Sequence, residues 1–223
     1  MKKTELEWWD EVLSAASRLQ GIIHEAVLVG GTASAIYTEH RISFDADHVI
    51  PNVKETFDDI LAALESVAGR QTARMKRPIL GSLDGIETGI RQLMRTTPLE
   101  VQEVNVQGHK ILCPTPQELL RIKAVLILKR NATRDYIDFV ALSDSLGFQN
   151  TYNAFETFDI LYPQNNNASA LQQLLVQLGK PLPFDLQDTN LGNYKYLNSK
   201  WISWDALVAH CQHVAKNLMS SIE

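Results

Sequence analysis

The stretch VLVGGTASAIYTEHRISFDADHVI, residues 27–50, constrains this chain more than any other. The apolar run that closes residues 22–29 reads as a buried strand, and it ends on Gly30-Gly31. Thr32 to Glu39 reads as a short helix. Residues 42–50 then alternate, with Phe44 and Ala46 on one side and Asp45 and Asp47 on the other, which predicts a second strand stopped by Pro51. A strand must therefore feed a helix through two glycines, and the next strand must present two carboxylates from one face.

Each part of that pattern has a chemical use. Glycines let a backbone approach a ligand because no Cβ intervenes. A helix start offers unpaired N–H groups and a positive dipole end, which suit a phosphate. Thr32 and Ser34 add hydroxyls there. Parallel carboxylates at Asp45 and Asp47 repel one another unless a cation sits between them. Mg²⁺ takes hard oxygen ligands and keeps substrate phosphates in its shell. Glycines for phosphate and acids for a metal make a nucleoside triphosphate site.

The rest of the pattern gives a mixed α/β (α+β) chain. Residues 4–20 and 53–68 have helical spacing, and 86–95, 99–106 and 109–113 read as strands. Thr115-Pro116-Gln117-Glu118 is a helix start, with a capping threonine, a first-turn proline and a glutamate at the third position. That helix runs to about Lys129, and others are predicted at 133–146, 168–179 and 203–219, with 180–200 irregular. The organisation expected is a core over 1–114 with a mixed sheet, then a helical domain over 115–223.

Gly30-Gly31, the thirteen residues that follow, and Asp45-x-Asp47 resemble the signature of the polymerase-β-like nucleotidyltransferase superfamily. Gly-Gly-Thr-Ala at 30–33 and Arg41-x-Ser43-x-Asp45-x-Asp47 look more closely like the AbiEii-type nucleotidyltransferases, the toxin components of type IV toxin–antitoxin and abortive-infection systems. CPTPQELLRIKAVLILKRNATRDYIDFVAL, residues 113–142, is similar to that family's later motifs. His48, where the family more often has an apolar residue, and Ser34, where leucine is common, are departures.

The resemblance implies site residues. A third carboxylate is expected on a strand next to the Asp-x-Asp strand; Glu100 and Glu103 are the candidates, of opposite strand parity, and Glu100 is preferred. Lys123, in a helix apolar almost all round, would stabilise the leaving pyrophosphate, with Arg130 seven residues on and sharing its face. Arg41, Ser43 and Asp138 would line the substrate site. Arg134 and Asp138 are also spaced to pair with each other, and Asp135 suits the helix dipole.

Composition bounds the partners. The chain of 223 residues is 45% apolar and 21% charged, ordinary for a soluble globular protein, and it carries Cys113 and Cys211 alone. No stretch approaches the ~18–20 apolar residues of a membrane helix, and the N-terminus lacks a signal-peptide pattern, so a cytoplasmic location is expected. A net charge of −5 excludes a surface built throughout to grip nucleic acid. Contact with RNA would be local, at the basic runs 70–77 and 129–134. The expected activity is Mg²⁺- or Mn²⁺-dependent transfer of a nucleoside monophosphate from a triphosphate to an RNA (tRNA) or protein hydroxyl, with a cognate antitoxin as partner. The alternatives are an inactive nucleotide- or partner-binding module of the same fold, and a phosphohydrolase using water as acceptor.

Overall fold

The computed structural model describes residues 4–75 and 78–220. Lys76 and Arg77 of the first basic run lie outside the described residues. The chain divides into two compact units, one of Met1–Ile36 and Ser43–Thr115, the other of Tyr37–Ile42 and Pro116–Glu223.

The first unit opens with α1 (Glu5–Ile22), started by a reciprocal cap: Thr4 N–H donates to Glu7 Oε2 at 2.6 Å, and Glu7 N–H donates to Thr4 Oγ1 at 3.4 Å. Next come β1 (Val27–Leu28), α2 (Gly30–Thr38), β2 (Asp45–Ile50), α3 (Phe57–Glu65), β3 (Arg70–Met75), β4 (Ile79–Leu83), β5 (Ile86–Gln92), β6 (Val101–Val106) and β7 (His109–Pro114). Five strands form one sheet in the order β1-β2-β5-β4-β3, with β2 and β5 parallel and the other neighbours antiparallel. β6 and β7 pair as a separate antiparallel ribbon. This ribbon is tied to α1 by Gln20, whose amide both donates to Leu112 O and accepts from Leu112 N–H, each at 2.8 Å.

The alternation of β2 does what the sequence requires. Ala46, His48 and Ile50 are buried, while Asp45, Asp47 and Val49 are partly exposed. Ile50 joins Leu19, Leu64, Ile79, Leu83 and Ile90 in the core beneath the sheet. Two strands escape the sequence reading. β3 and β4 occupy 70–83, a stretch whose arginines and glycine mask its period. The strand expected from 42 begins only at Asp45, and the helix expected over 53–68 is shorter because turns occupy 51–55.

The second unit is helical: α4 (Pro116–Arg130), α5 (Thr133–Phe155), α6 (Phe158–Leu161), α7 (Ala170–Gly179) and α8 (Trp204–Met219). Gly147 does not end α5 but kinks it, at φ 70 and ψ 175, and the helix resumes beyond. Thr151 Oγ1 donates to Ser143 O at 3.3 Å across the kink, bonding a carbonyl there. Tyr37–Ile42 joins this unit through backbone bonds from Ile42 N–H to Lys195 O (2.9 Å) and from Asn198 N–H to His40 O (2.8 Å).

Candidate active site

Val29 N–H donates to Asp47 O at 2.8 Å, which extends the β1–β2 pairing to the glycine turn. Gly30 there has φ +78, a conformation L side chains rarely adopt, and a Cβ on it would lie 3.6 Å from Asp47 Cβ. The turn that opens α2 is thus set directly against the second aspartate. Asp45 Oδ1 accepts from Ser43 Oγ at 2.7 Å. Asp47 Oδ1 lies 3.6 Å from Arg91 Nε, a half-exposed guanidinium on β5. Gly30 thus lies beside Asp47, and Ser43 beside Asp45.

Thr32 and Ser34 serve the same region from the inside. Both are buried. Thr32 Oγ1 donates to Asp45 O at 2.5 Å, and Ser34 Oγ donates to Gly30 O at 3.0 Å. Their hydroxyls donate to backbone carbonyls and so fasten the glycine turn to β2.

The third acid is where the sequence expectation needs correction. Glu100 is exposed and precedes β6, its carbonyl accepting from Thr115 N–H at 2.8 Å. Glu103 lies on β6 and meets Lys110 at 3.2 Å. Neither stands on a neighbour of β2, because β6 belongs to the separate ribbon. The strand beside β2 is β5, which places Glu87 in register with Asp45, Gly89 with Asp47 and Arg91 with Val49. Among the described residues, no three His, Cys, Asp or Glu side chains are arranged to hold a metal ion. Glu87, Gly89 and Arg91 escaped the sequence reading, although the alternation Glu87-x-Gly89-x-Arg91 is the signal that puts them on one face.

In the second unit, Lys123, Arg41, His40 and Asp138 form one buried cluster. Asp138 accepts from Lys123 Nζ at 2.6 Å, from Arg41 Nε and Nη2 at 2.9 and 3.2 Å, and lies 2.8 Å from His40 Nε2. Burial would raise the Asp138 pKa, but Arg41, Lys123 and His40 overcome it and hold the carboxyl well below its usual range. Burial lowers His40, more than its bond to Asp138 raises it. Arg134 is exposed, and Asp138 answers to partners 15 and 97 residues away rather than to this helix neighbour.

Arg130 grips Asp135 with two bonds of 2.5 and 2.7 Å, and Lys123 lies 3.9 Å from the same carboxylate. Asp135 is therefore more than a dipole partner. Lys123 is 1% exposed and its ammonium is already bonded to Asp138. These ion pairs tie α4 to α5, and through Arg41 tie the 37–42 segment to both.

A protein of Helicobacter pylori assigned as a nucleotidyltransferase shares this architecture over 99% of the present chain and 97% of its own, with a TM-score of 0.58 and 16% identity. The antibiotic-resistance factor ANT(2'')-Ia matches over 68% of this chain and 92% of its own, with a TM-score of 0.51 and 12% identity. The fold is that of the nucleotidyltransferases. JHP933 of Helicobacter pylori is similar at a TM-score of 0.57 and 16% identity, covering 99% of this chain and 95% of its own. No family model matches the sequence.

Among curated proteins, 126 residues (54% of the chain) are 30% identical to the heme uptake protein MmpL11 of Mycobacterium tuberculosis. A stretch of 124 residues is 27% identical to the mycolic acid-containing lipids exporter MmpL11 of Mycolicibacterium smegmatis. The chain spans only 12% and 13% of the lengths of these two relatives. Among its described residues, no helix is long and apolar enough to cross a membrane. Within the nucleotidyltransferase fold, the glycine turn and the paired acids of β2 are the features with the clearest chemical meaning.

Proposed function

We propose that this chain transfers a nucleoside monophosphate from a nucleoside triphosphate to a hydroxyl acceptor. The observation that carries the proposal is the placement of Asp45 and Asp47 on one face of β2, against the glycine turn that opens α2. Two carboxylates so placed repel, and a divalent cation relieves the repulsion. The donors are hard oxygens, and glycine at 30 and 89 leaves the space beside Asp47 that a Cβ would enter, so the residues suit Mg²⁺ or Mn²⁺. Asp45 and Asp47 would hold that ion, which when bound would neutralise phosphoryl charge.

The chain's own groups do the remaining work. Backbone N–H groups of the first turn of α2 would take triphosphate oxygens. Ser43 orients Asp45 through its 2.7 Å bond. Glu87, whose Cα is in register with Asp45 on the neighbouring strand, would receive the acceptor proton. The acceptor oxygen would bond to the α-phosphorus as the bond to the β-phosphate bridge breaks, releasing pyrophosphate.

An RNA end, such as that of a tRNA, or a protein hydroxyl would be the acceptor, and the AbiEii resemblance supports a toxin with a cognate antitoxin. A second reading, binding of a nucleotide or partner without chemistry, is favoured by one fact. No third acid completes a metal-holding group with the two aspartates among the described residues.

Product analysis separates the readings. The protein is incubated with each α-labelled triphosphate and Mg²⁺ or Mn²⁺, with and without total RNA, beside Asp47→Ala. Label on RNA or on protein supports transfer. Free monophosphate indicates hydrolysis, and binding without product indicates the inactive module. Full activity in Asp47→Ala discards the mechanism.

A further inference from the structure

Two glycines in the sheet of the first unit lack the usual reason for being glycine. Gly81 on β4 and Gly89 on β5 both have φ outside the left-handed region, so any residue could adopt their backbones. Glycine inside a strand weakens it, which leaves close approach of another group as the explanation. For Gly81 that group is backbone: a Cβ there would lie 2.2 Å from Gln71 O. For Gly89 it is one of the paired acids: a Cβ would lie 2.5 Å from Asp47 Oδ1, 3.3 Å from Leu80 Cδ2 and 3.7 Å from Asp47 Cγ.

We infer that Gly89 is a positioning residue for the Asp47 carboxylate. Its missing side chain opens the space over β5 into which Asp47 Oδ1 extends toward Arg91. The register carries the same point, since Gly89 is the Cα partner of Asp47 on the parallel neighbour. On the other side stands Gly30. Of these two glycines it is Gly89 whose Cβ would collide with the carboxylate, while a Cβ at 30 would make only ordinary contact with Asp47. A methyl group at 89 turns the carboxylate aside, because a terminal carboxylate rotates more cheaply than backbone moves. The consequence for cation binding rests on the role proposed above for Asp47; the steric contact does not.

The test uses the full chain and four variants: Gly89→Ala, Gly81→Ala, Asp47→Ala and Gly89→Ala combined with Asp47→Ala. Mn²⁺ alone is titrated by calorimetry, and urea unfolding is followed without metal. Gly89→Ala is expected to unfold close to the wild-type midpoint while binding Mn²⁺ about 10- to 100-fold more weakly, the usual cost of losing a group that orients a ligand. Gly81→Ala is expected to lose stability plainly. With Asp47 already alanine, adding Gly89→Ala is expected to raise the urea midpoint, because the clash has gone and a strand interior gains from losing a glycine. Wild-type affinity for Mn²⁺ in Gly89→Ala, or a stability loss equal to that of Gly81→Ala, overturns the assignment. If the wild-type chain binds no Mn²⁺, the cation reading of Asp47 fails. The double variant then decides the steric claim by itself, and the same midpoint shift with or without Asp47 overturns it.

Discussion

Lys123 Nζ donates to Asp138 Oδ2 at 2.6 Å in a place where neither side chain reaches solvent. The carboxylate answers two cations at once, since Arg41 bonds it as well. Removing the anion leaves two buried cations without their common partner, whereas removing Lys123 leaves Asp138 paired with Arg41. Asp138→Asn is expected to cost about 3–5 kcal/mol, and Lys123→Met distinctly less. Urea unfolding of the two variants ranks them, and the reverse order would contradict the description of the cluster.

His48 gives the fold a pH dependence. It is fully buried, its Nδ1 lies 3.1 Å from Ala46 O, and burial pushes its pKa down from 6.5 to about 4. The unfolded chain therefore binds a proton between those values that the folded chain refuses. Stability is complete above pH 6.5 and falls as pH drops toward 4, by about 3 kcal/mol from this residue. His40, also lowered by burial, adds in the same direction. His48→Leu should flatten the profile of urea midpoint against pH over that window while leaving any loss due to Asp138 at lower pH.

Gly147 and Gly21 make a matched pair. A Cβ at either meets nothing within 4 Å, but Gly147 has φ +70 and Gly21 does not leave the helical region of α1. Gly147→Ala is expected to destabilise by about 1–3 kcal/mol from backbone strain. Gly21→Ala is expected to stabilise by about 1 kcal/mol through helix propensity. Opposite shifts in Tm check both.

Arg91 bears on the cation site with the sign opposite to Gly89. Its guanidinium lies 3.6 Å from Asp47 Oδ1 and is half exposed. It competes with any divalent ion for that oxygen. Arg91→Gln should tighten Mn²⁺ binding by about three- to tenfold at low ionic strength, and the gain should shrink as salt is added. Calorimetry at two salt concentrations reads this directly.

Legibility from sequence followed the range of the interactions. The paired aspartates were readable because a two-residue period is local, and the burial of Ala46, His48 and Ile50 repeats it. The glycine turn was readable for the same reason. Glu87 was not, because nothing near it in sequence says which strand lies beside β2; a parallel partner 42 residues on does. For Asp138 the sequence left a local pairing with Arg134 open beside a place near Lys123, and spacing alone does not choose between them. Its true partners are set by tertiary packing. β3 and β4 were hidden because an edge strand buries little, and Gly81 interrupts its neighbour.

The excursion of Tyr37–Ile42 into the helical unit governs how this gene can be cut. The polypeptide passes between units at 36/37, 42/43 and 115/116, so neither half is a contiguous fragment. A product ending at Thr115 would strand His40 and Arg41 without their counter-ion, and one starting at Pro116 would bury Asp138 short of a guanidinium. Chimaeras that exchange the C-terminal half between homologues must therefore transplant this loop along with it.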